Sequence, residues 1–228
     1  MTDDARQENR IVESWHSNAH PWANAIAGKQ VASREAVTNQ AIVEAVLGVG
    51  PHSLIDIGCG EGWFCRALAQ LGTQCLGVDA IPALLEIARK AGGDFQHCAY
   101  ESLATTDFGQ RFDCAVSNFA LLGKQSTEAV FDALPTLLKP GGHFFVQTLH
   151  PETACGDLPY TDGWREGSWA GFSDDFRQPA PWYFRTTESW EALFPKFDLE
   201  LLERREPRHP RTGDKQSLIL IGRLQTHT

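Results

Sequence analysis

In the stretch "SLIDIGCGEGWF", Ser53 to Phe64, three glycines (Gly58, Gly60 and Gly62) fall within five residues directly behind a short apolar run. Without a Cβ, such a turn lets backbone N–H groups and the start of a following helix approach a ligand that a side chain would push away. Dinucleotide sites space the glycines as G-x-G-x-x-G. Here the spacing is G-x-G-x-G, and Trp63 stands where the third glycine would be. An acid that grips ribose hydroxyls is expected about 20 residues on, and Asp79 closes "CLGVD" 79 − 58 = 21 residues after the first glycine. Asp79 also reads as a helix cap ahead of Pro82, and both roles can coexist. Asp56, two residues before Gly58, sets a carboxylate beneath the turn, which suits a ligand carrying an ammonium group better than one carrying pyrophosphate.

Other residues offer chemistry less specifically. His150 stands beside Pro151 at the end of an apolar strand, at the sheet edge that faces the ligand crevice in open α/β folds; it reads as a general base or as a histidine satisfied within a turn. His16 and His20 are four apart, but Pro21 and the lack of a nearby acid or thiol argue against a metal. The six cysteines form no C-x-x-C pair and sit mostly in apolar runs, so we expect reduced, buried thiols and no metal site.

These residues need elements to position them. Ser33 to Leu47 has a helical stripe with Ser33 as its cap, and Gly48 and Gly50 stop it. "SLIDI" reads as a strand, followed by a helix carrying Phe64, Ala67, Leu68 and Leu71; "QCLGVD" and the helix from Pro82 repeat the unit. Further strands are expected at "DFQHCA", "FDCAVSN" and "HFFVQTL", with a helix capped by Ser126 and kinked or ended by Pro135. Strands alternating with helices imply a doubly wound α/β fold, a parallel sheet with helices on both faces. Residues 151–185 are rich in proline, glycine and aromatics with neither period, which marks an inserted cap. Trp164, Trp169, Tyr183 and their aromatic neighbours either form a small core of their own or wall a small-molecule pocket, which Trp15 and Trp22 would help close. Thr187 caps a last helix, and "FDLELLE" and "SLILIGRL" supply the last two strands.

We therefore expect one domain: a helical cap over 1–48, a ligand-binding core over 49–150, the insertion over 151–185, and a helix and two strands over 186–228. A net charge of −9 with no basic block argues against nucleic acid as a partner. No apolar run is long enough for a membrane span and the first residues are acidic, so a cytoplasmic location is expected.

"LIDIGCGEG", "GVDA", "FDCAVSNFALL" and "LLKPGGHFF" resemble the successive motifs of class I S-adenosylmethionine (SAM)-dependent methyltransferases, in the family's order and covering Ser53 to His150. The resemblance implies a Rossmann-like, seven-stranded, mostly parallel sheet whose last strand is antiparallel. It implies SAM as cofactor, with S-adenosylhomocysteine (SAH) as product. Gly58, Cys59 and Gly60 would pack on its methionine and ribose parts, and Asp56 would order the turn near its amino group. Asp79 would hold the ribose, with Ala80 and Ile81 beside the adenine. Ser117, Asn118 and Phe119 would line the methionine side. Cys98 stands where relatives carry an adenine-binding Asp, leaving Ala99 and Tyr100 to line that pocket. Arg34 is placed to reach the SAM carboxylate. The activity expected is methylation of a small molecule by a monomer or homodimer, with Trp22, Trp164, Trp169 and Tyr183 around the acceptor and His150 as base. Methylation of RNA or protein, a non-catalytic SAM-binding module and, third, a nicotinamide oxidoreductase are the alternatives. A valine at Gly58 should block SAM and leave the fold intact.

Overall fold

The computed structural model describes residues 2–226. In chain order its elements are α1 (Asp3–Ala27), α2 (Asn39–Leu47), β1 (Ser53–Ile57), α3 (Trp63–Ala69), β2 (Gln74–Asp79), α4 (Pro82–Lys90), β3 (Asp94–His97), β4 (Phe112–Asn118), α5 (Gln125–Leu137), β5 (Leu138–Thr148), α6 (Pro151–Ala154), β6 (Gly163–Arg165), β7 (Trp182–Phe184), α7 (Thr187–Lys196), β8 (Leu199–Arg205) and β9 (Leu218–Leu224). Seven strands form one sheet in the order β3-β2-β1-β4-β5-β9-β8. β3 through β5 pair in parallel, and β9 runs antiparallel to both β5 and β8. The mostly parallel, doubly wound fold read from the sequence is the one observed.

Alternation along the strands supplies both faces of the sheet. Ile55, Ala115, Phe144 and Leu220 join the core beneath α5 and α7, while Leu54, Cys114, Phe145 and Ile221 join the core beneath α2 and α3. With β1 buried at every position, the glycine turn that follows it rests on a rigid edge.

Several local expectations change. Arg34 to Thr38 wind as a π-helical turn before α2, and Ser33 makes no capping bond. Ser126 lies inside α5, whose start is capped instead from α1: one Glu8 oxygen accepts the N–H groups of Lys124, Gln125 and Ser126 at 2.8, 2.7 and 3.3 Å. Pro135 falls in the last turn of α5 and the helix runs past it to Leu137, because only the terminal turn loses a hydrogen bond there. The cap of α7 is Thr186 and not Thr187, its side chain accepting the Ser189 N–H at 3.1 Å. Within 151–185, β6 and β7 form a short antiparallel ribbon.

The insertion and α1 are sewn to each other. Asn18, fully buried, donates to the Arg177 carbonyl at 2.6 Å and accepts the Arg177 N–H at 2.7 Å, while Ser14 donates to the Gln178 carbonyl at 2.6 Å. Arg10 adds a two-pronged contact to Glu166 at 2.9 and 2.7 Å. Together these segments roof the carboxyl ends of the parallel strands. No described helix is long and apolar enough to cross a membrane.

Candidate active site

The glycine turn is held from beneath by β2. The N–H groups of Gly58 and Cys59 both donate to the Val78 carbonyl, at 2.8 and 3.0 Å. Asp79 then uses both oxygens on backbone, accepting the Gly60 N–H and the Ile81 N–H at 2.8 Å each. It thus ties the turn to the start of α4 while its own side chain lines the cavity, so the structural role and exposure to a ligand coexist. Burial raises its pKa.

Gly58 and Gly60 both adopt positive φ, +79° and +56°. They differ in what a side chain would meet. A Cβ on Gly58 would lie 2.4 Å from both Ala120 Cβ and Tyr100 Oη, whereas nothing stands within 4 Å of one on Gly60. The expectation for a valine at Gly58 is therefore corrected: it would collide with protein before it could obstruct a ligand. Gly60 is the position that opens on the cavity.

Beneath and beside the turn, ionisable groups are buried close together. Burial pushes the Asp56 carboxyl up to about 7, and the Cys65 thiol donates to it at 3.6 Å. Glu61, within the turn, is likewise raised by burial. The Cys59 thiol and the Tyr100 hydroxyl are pushed well above their ordinary ranges by burial, so neither ionises; Tyr100 donates to the Ala120 carbonyl at 3.2 Å. Arg34, in the π-helical turn, lies with its guanidinium 4.9 Å from the Trp63 ring and 5.9 Å from the Trp22 ring. Burial lowers its pKa, the cost of desolvating a charge.

Three polar atoms here are buried without a hydrogen-bond partner: Nη2 of Arg34, Oε1 of Glu61 and Oδ1 of Asn118. All three residues line one cavity of about 710 Å³, within the ~300–1,000 Å³ of small-molecule sites. Leaving such a group unpaired costs about 1–3 kcal/mol, so a cation, two acceptors and a glycine-opened backbone converge on space that fits a zwitterionic, polar ligand. Phe119, next to Asn118, holds φ at +55°, a strained left-handed conformation for a residue with a side chain.

The cavity brings together twelve of the thirteen residues expected around the cofactor: Arg34, Asp56, Gly58, Cys59, Gly60, Asp79, Ala80, Ile81, Ala99, Tyr100, Asn118 and Phe119; Ser117 does not line it, being fully buried with its hydroxyl donating to the Ile57 carbonyl at 3.0 Å. Trp22, Trp169 and Tyr183 line it as well, as does Trp15. The two readings of the insertion's aromatics both hold in part. Trp169, Phe172 and Phe176 pack with ring centroids 4.6–5.6 Å apart as a small core, and Trp169 and Phe172 also face the cavity.

Two expectations fail on geometry. His150 is buried with its neighbours Leu149 and Pro151 on the cavity but its own ring turned away; Nε2 lies 3.1 Å from a Glu206 oxygen, so it is not placed to serve as base. Trp164 likewise does not line the cavity. Its Nε1 donates to Asp4 at 2.8 Å and its ring packs edge-on against Tyr183, fastening β6 to α1. The Cys98 thiol also points elsewhere, to the Ala99 carbonyl and the Thr106 hydroxyl.

Several lining residues escaped the sequence reading. Glu61 was visible as an acid inside the glycine motif, whereas His97, Glu101, Arg185 and Trp190 carried no spacing signal; Trp182, one of the insertion's aromatics, lines the cavity as well. On α1, His16 and His20 gather no third ligand; among the described residues no three His, Cys, Asp or Glu side chains converge on a metal-sized site.

The chain is similar to known proteins both in sequence and in fold. A family model described as a methyltransferase domain matches residues 30–204, most of the chain. The chain belongs to this family, the class I SAM-dependent methyltransferases. Among curated relatives, the chain is 31% identical over 101 residues to the ubiquinone biosynthesis O-methyltransferase of Brucella anthropi, covering 42% of this chain and 41% of that one. It is 32% identical over 119 residues to the protein of the same name from Xanthomonas oryzae pv. oryzae, covering 50% and 49%. The chain thus spans under half the length of these relatives. Its fold resembles that of the Burkholderia thailandensis 1,6-didemethyltoxoflavin-N1-methyltransferase, solved with 1,6-didemethyltoxoflavin and SAH, at a TM-score of 0.69 and 18% identity over 99% of this chain and 92% of that one.

Proposed function

We propose that this methyltransferase moves the methyl group of SAM to a small-molecule acceptor held beneath the roof of α1 and residues 151–185, releasing SAH. The observation that carries the reading is a continuous cavity. It joins the unpaired polar atoms of Arg34, Glu61 and Asn118 around the glycine turn to a chamber walled by Trp15, Trp22, Trp169, Phe172 and Trp182. In this reading 49–150 holds the donor, 1–48 and 151–185 enclose the acceptor, and 186–228 completes the sheet.

When bound, SAM supplies a methyl carbon already activated by its sulfonium. The chain's own task is then alignment and exclusion of water. Arg34 Nη2 is free to take a carboxylate, and Asp56 and Glu61, whose carboxyls burial holds toward the neutral form, would ionise against an ammonium group placed beside them. Asp79 holds the turn and presents its carboxylate to ribose hydroxyls, and Gly60 lets the chain pass close to them. Phe119 and Asn118 border the reacting end, and the aromatic chamber orients a flat acceptor against it.

The relatives' names include an O-methyltransferase and the structural neighbour is an N-methyltransferase, so acceptor atoms of both kinds belong in the screen. Radiolabelled SAM incubated with the protein and a fractionated metabolite pool should yield a labelled small molecule and stoichiometric SAH. Tight SAH binding with no labelled product in any fraction, or label only in RNA or protein, would overturn the reading.

A further inference from the structure

We propose that Arg185 selects the acceptor: its guanidinium receives an oxyanion, a carboxylate or ionised ring hydroxyl, on a planar small molecule. The inference rests on the methyl-transfer reading and deepens it by naming the acceptor's chemical class.

Arg185 follows β7 and is 3% exposed, yet it lines the cavity. Two of its five N–H donors are engaged, one on the Gly123 carbonyl and one on the Lys124 carbonyl, each at 3.0 Å. These bonds fix the plane of the guanidinium without neutralising it. Its faces lie against the rings of Tyr183 and Trp190, at 4.8 and 5.0 Å from the centroids, which favours the cation but leaves its net charge in place.

No carboxylate among the described residues forms an ion pair with Arg185. Asp162, Glu128 and Glu8 act on it only at a distance. Glu8, which also lines the cavity, is committed elsewhere: one oxygen caps α5 and the other accepts the Ser126 hydroxyl at 2.7 Å.

A buried guanidinium without a counter-charge is costly, and two carbonyls offset only part of that cost. Its fork geometry matches a carboxylate in particular. The flat rings beside it that line the cavity, Tyr183 and Trp190, suit a planar ring carrying that group. Arg34 lies against Trp63, beside the glycine turn, whereas Arg185 lies against Tyr183 and Trp190, so the two arginines divide between cofactor and acceptor.

The test uses the full-length protein with SAH bound, titrated with 2-naphthoate and with its neutral isostere 2-naphthamide, read by calorimetry and by quenching of the cavity tryptophans. Wild type should bind the anion roughly tenfold to a hundredfold more tightly than the amide, the range for a hydrogen bond to a charged group. Arg185→Gln should remove that preference and leave SAH affinity unchanged, while Arg185→Lys should keep part of it. Wild type binding both probes equally, or neither, overturns the proposal whether or not the variants fold. Weakened SAH binding in a folded Arg185→Gln also overturns it, because the guanidinium would then serve the cofactor. Failure of SAH to bind wild type would instead refute the methyl-transfer reading.

Discussion

The two glycines of the turn make opposite demands on an alanine. At Gly60 the new Cβ meets nothing within 4 Å, so the only cost to the fold is a side chain at φ +56°, about 1–2 kcal/mol. At about 2–4 °C per kcal/mol for a chain of this size, Gly60→Ala should lower Tm by roughly 2–8 °C. At Gly58 the same conformational cost is joined by overlaps at 2.4 Å with Ala120 and Tyr100, and overpacking adds about 1–3 kcal/mol. Gly58→Ala should therefore lose about 2–5 kcal/mol, or roughly 4–20 °C. Binding should separate the other way in proportion to stability, because only the Gly60 methyl protrudes into the cavity. Thermal melts followed by circular dichroism, with calorimetric titration of SAH well below Tm, give both quantities. Gly60→Ala binding SAH as wild type does, while folded, would refute the placement of the cofactor against this turn.

Four further outcomes follow from the same geometry. Asp79→Asn sets an amide N–H against one of the two backbone donors at 2.8 Å; stability should fall by about 1–3 kcal/mol and SAH affinity at least tenfold, both read by calorimetry. Asp56 keeps its proton to about pH 7 in the fold against 3.8 ordinarily. The unfolded chain thus binds fewer protons between pH 4 and 7, and this group's contribution to stability is intact below pH 4 and declines up to pH 7; urea midpoints of Asp56→Asn should lack that decline. Trp164→Phe removes the bond to Asp4, costing about 1 kcal/mol, and should lower Tm with SAH affinity unchanged. His150→Gln should leave turnover of the acceptor near wild type, since its ring bonds Glu206; a loss of the ~10²–10⁴-fold typical of general bases would restore it as catalyst.

The fold was legible wherever an element's partners lie close in the chain. "SLIDI", the glycine turn and the stripe Phe64, Leu68 form a strand and helix whose contacts repeat in "QCLGVD" and α4, and the period of each run reports its own burial. Caps and boundaries were less legible because their partners are remote. Ser126 looked like the cap of α5, but Glu8, 118 residues earlier, occupies that role and takes the Ser126 hydroxyl as one of its own ligands. The π-helical turn at Arg34 had no signal at all, since its apolar spacing still reads as an ordinary helix.

For the site, position along the chain told which residues reach the carboxyl edge of the sheet, and that sufficed for the cofactor end. Asp56, Asp79 and Asn118 each terminate or nearly terminate a strand, so topology alone delivers them. Topology does not decide where a side chain turns once the strand has ended. Leu149, His150 and Pro151 leave β5 in succession, and His150 faces away because Glu206, which also pairs with Lys215 at 3.2 Å, waits on the opposite side. The roof depends even more on distant pairs: Asn18 with Arg177, Arg10 with Glu166 and Asp4 with Trp164 join α1 to a segment about 160 residues later. These bonds are polar, and the rings of Trp15, Trp22 and Trp169 pack on one another while still lining the cavity, so the roof's underside is apolar. A small-molecule acceptor entering there would meet flat walls with few hydrogen-bonding groups, and its orientation would come from the buried charge beside them. Under the role proposed for Arg185, specificity rests on that guanidinium and not on the tryptophans of the roof.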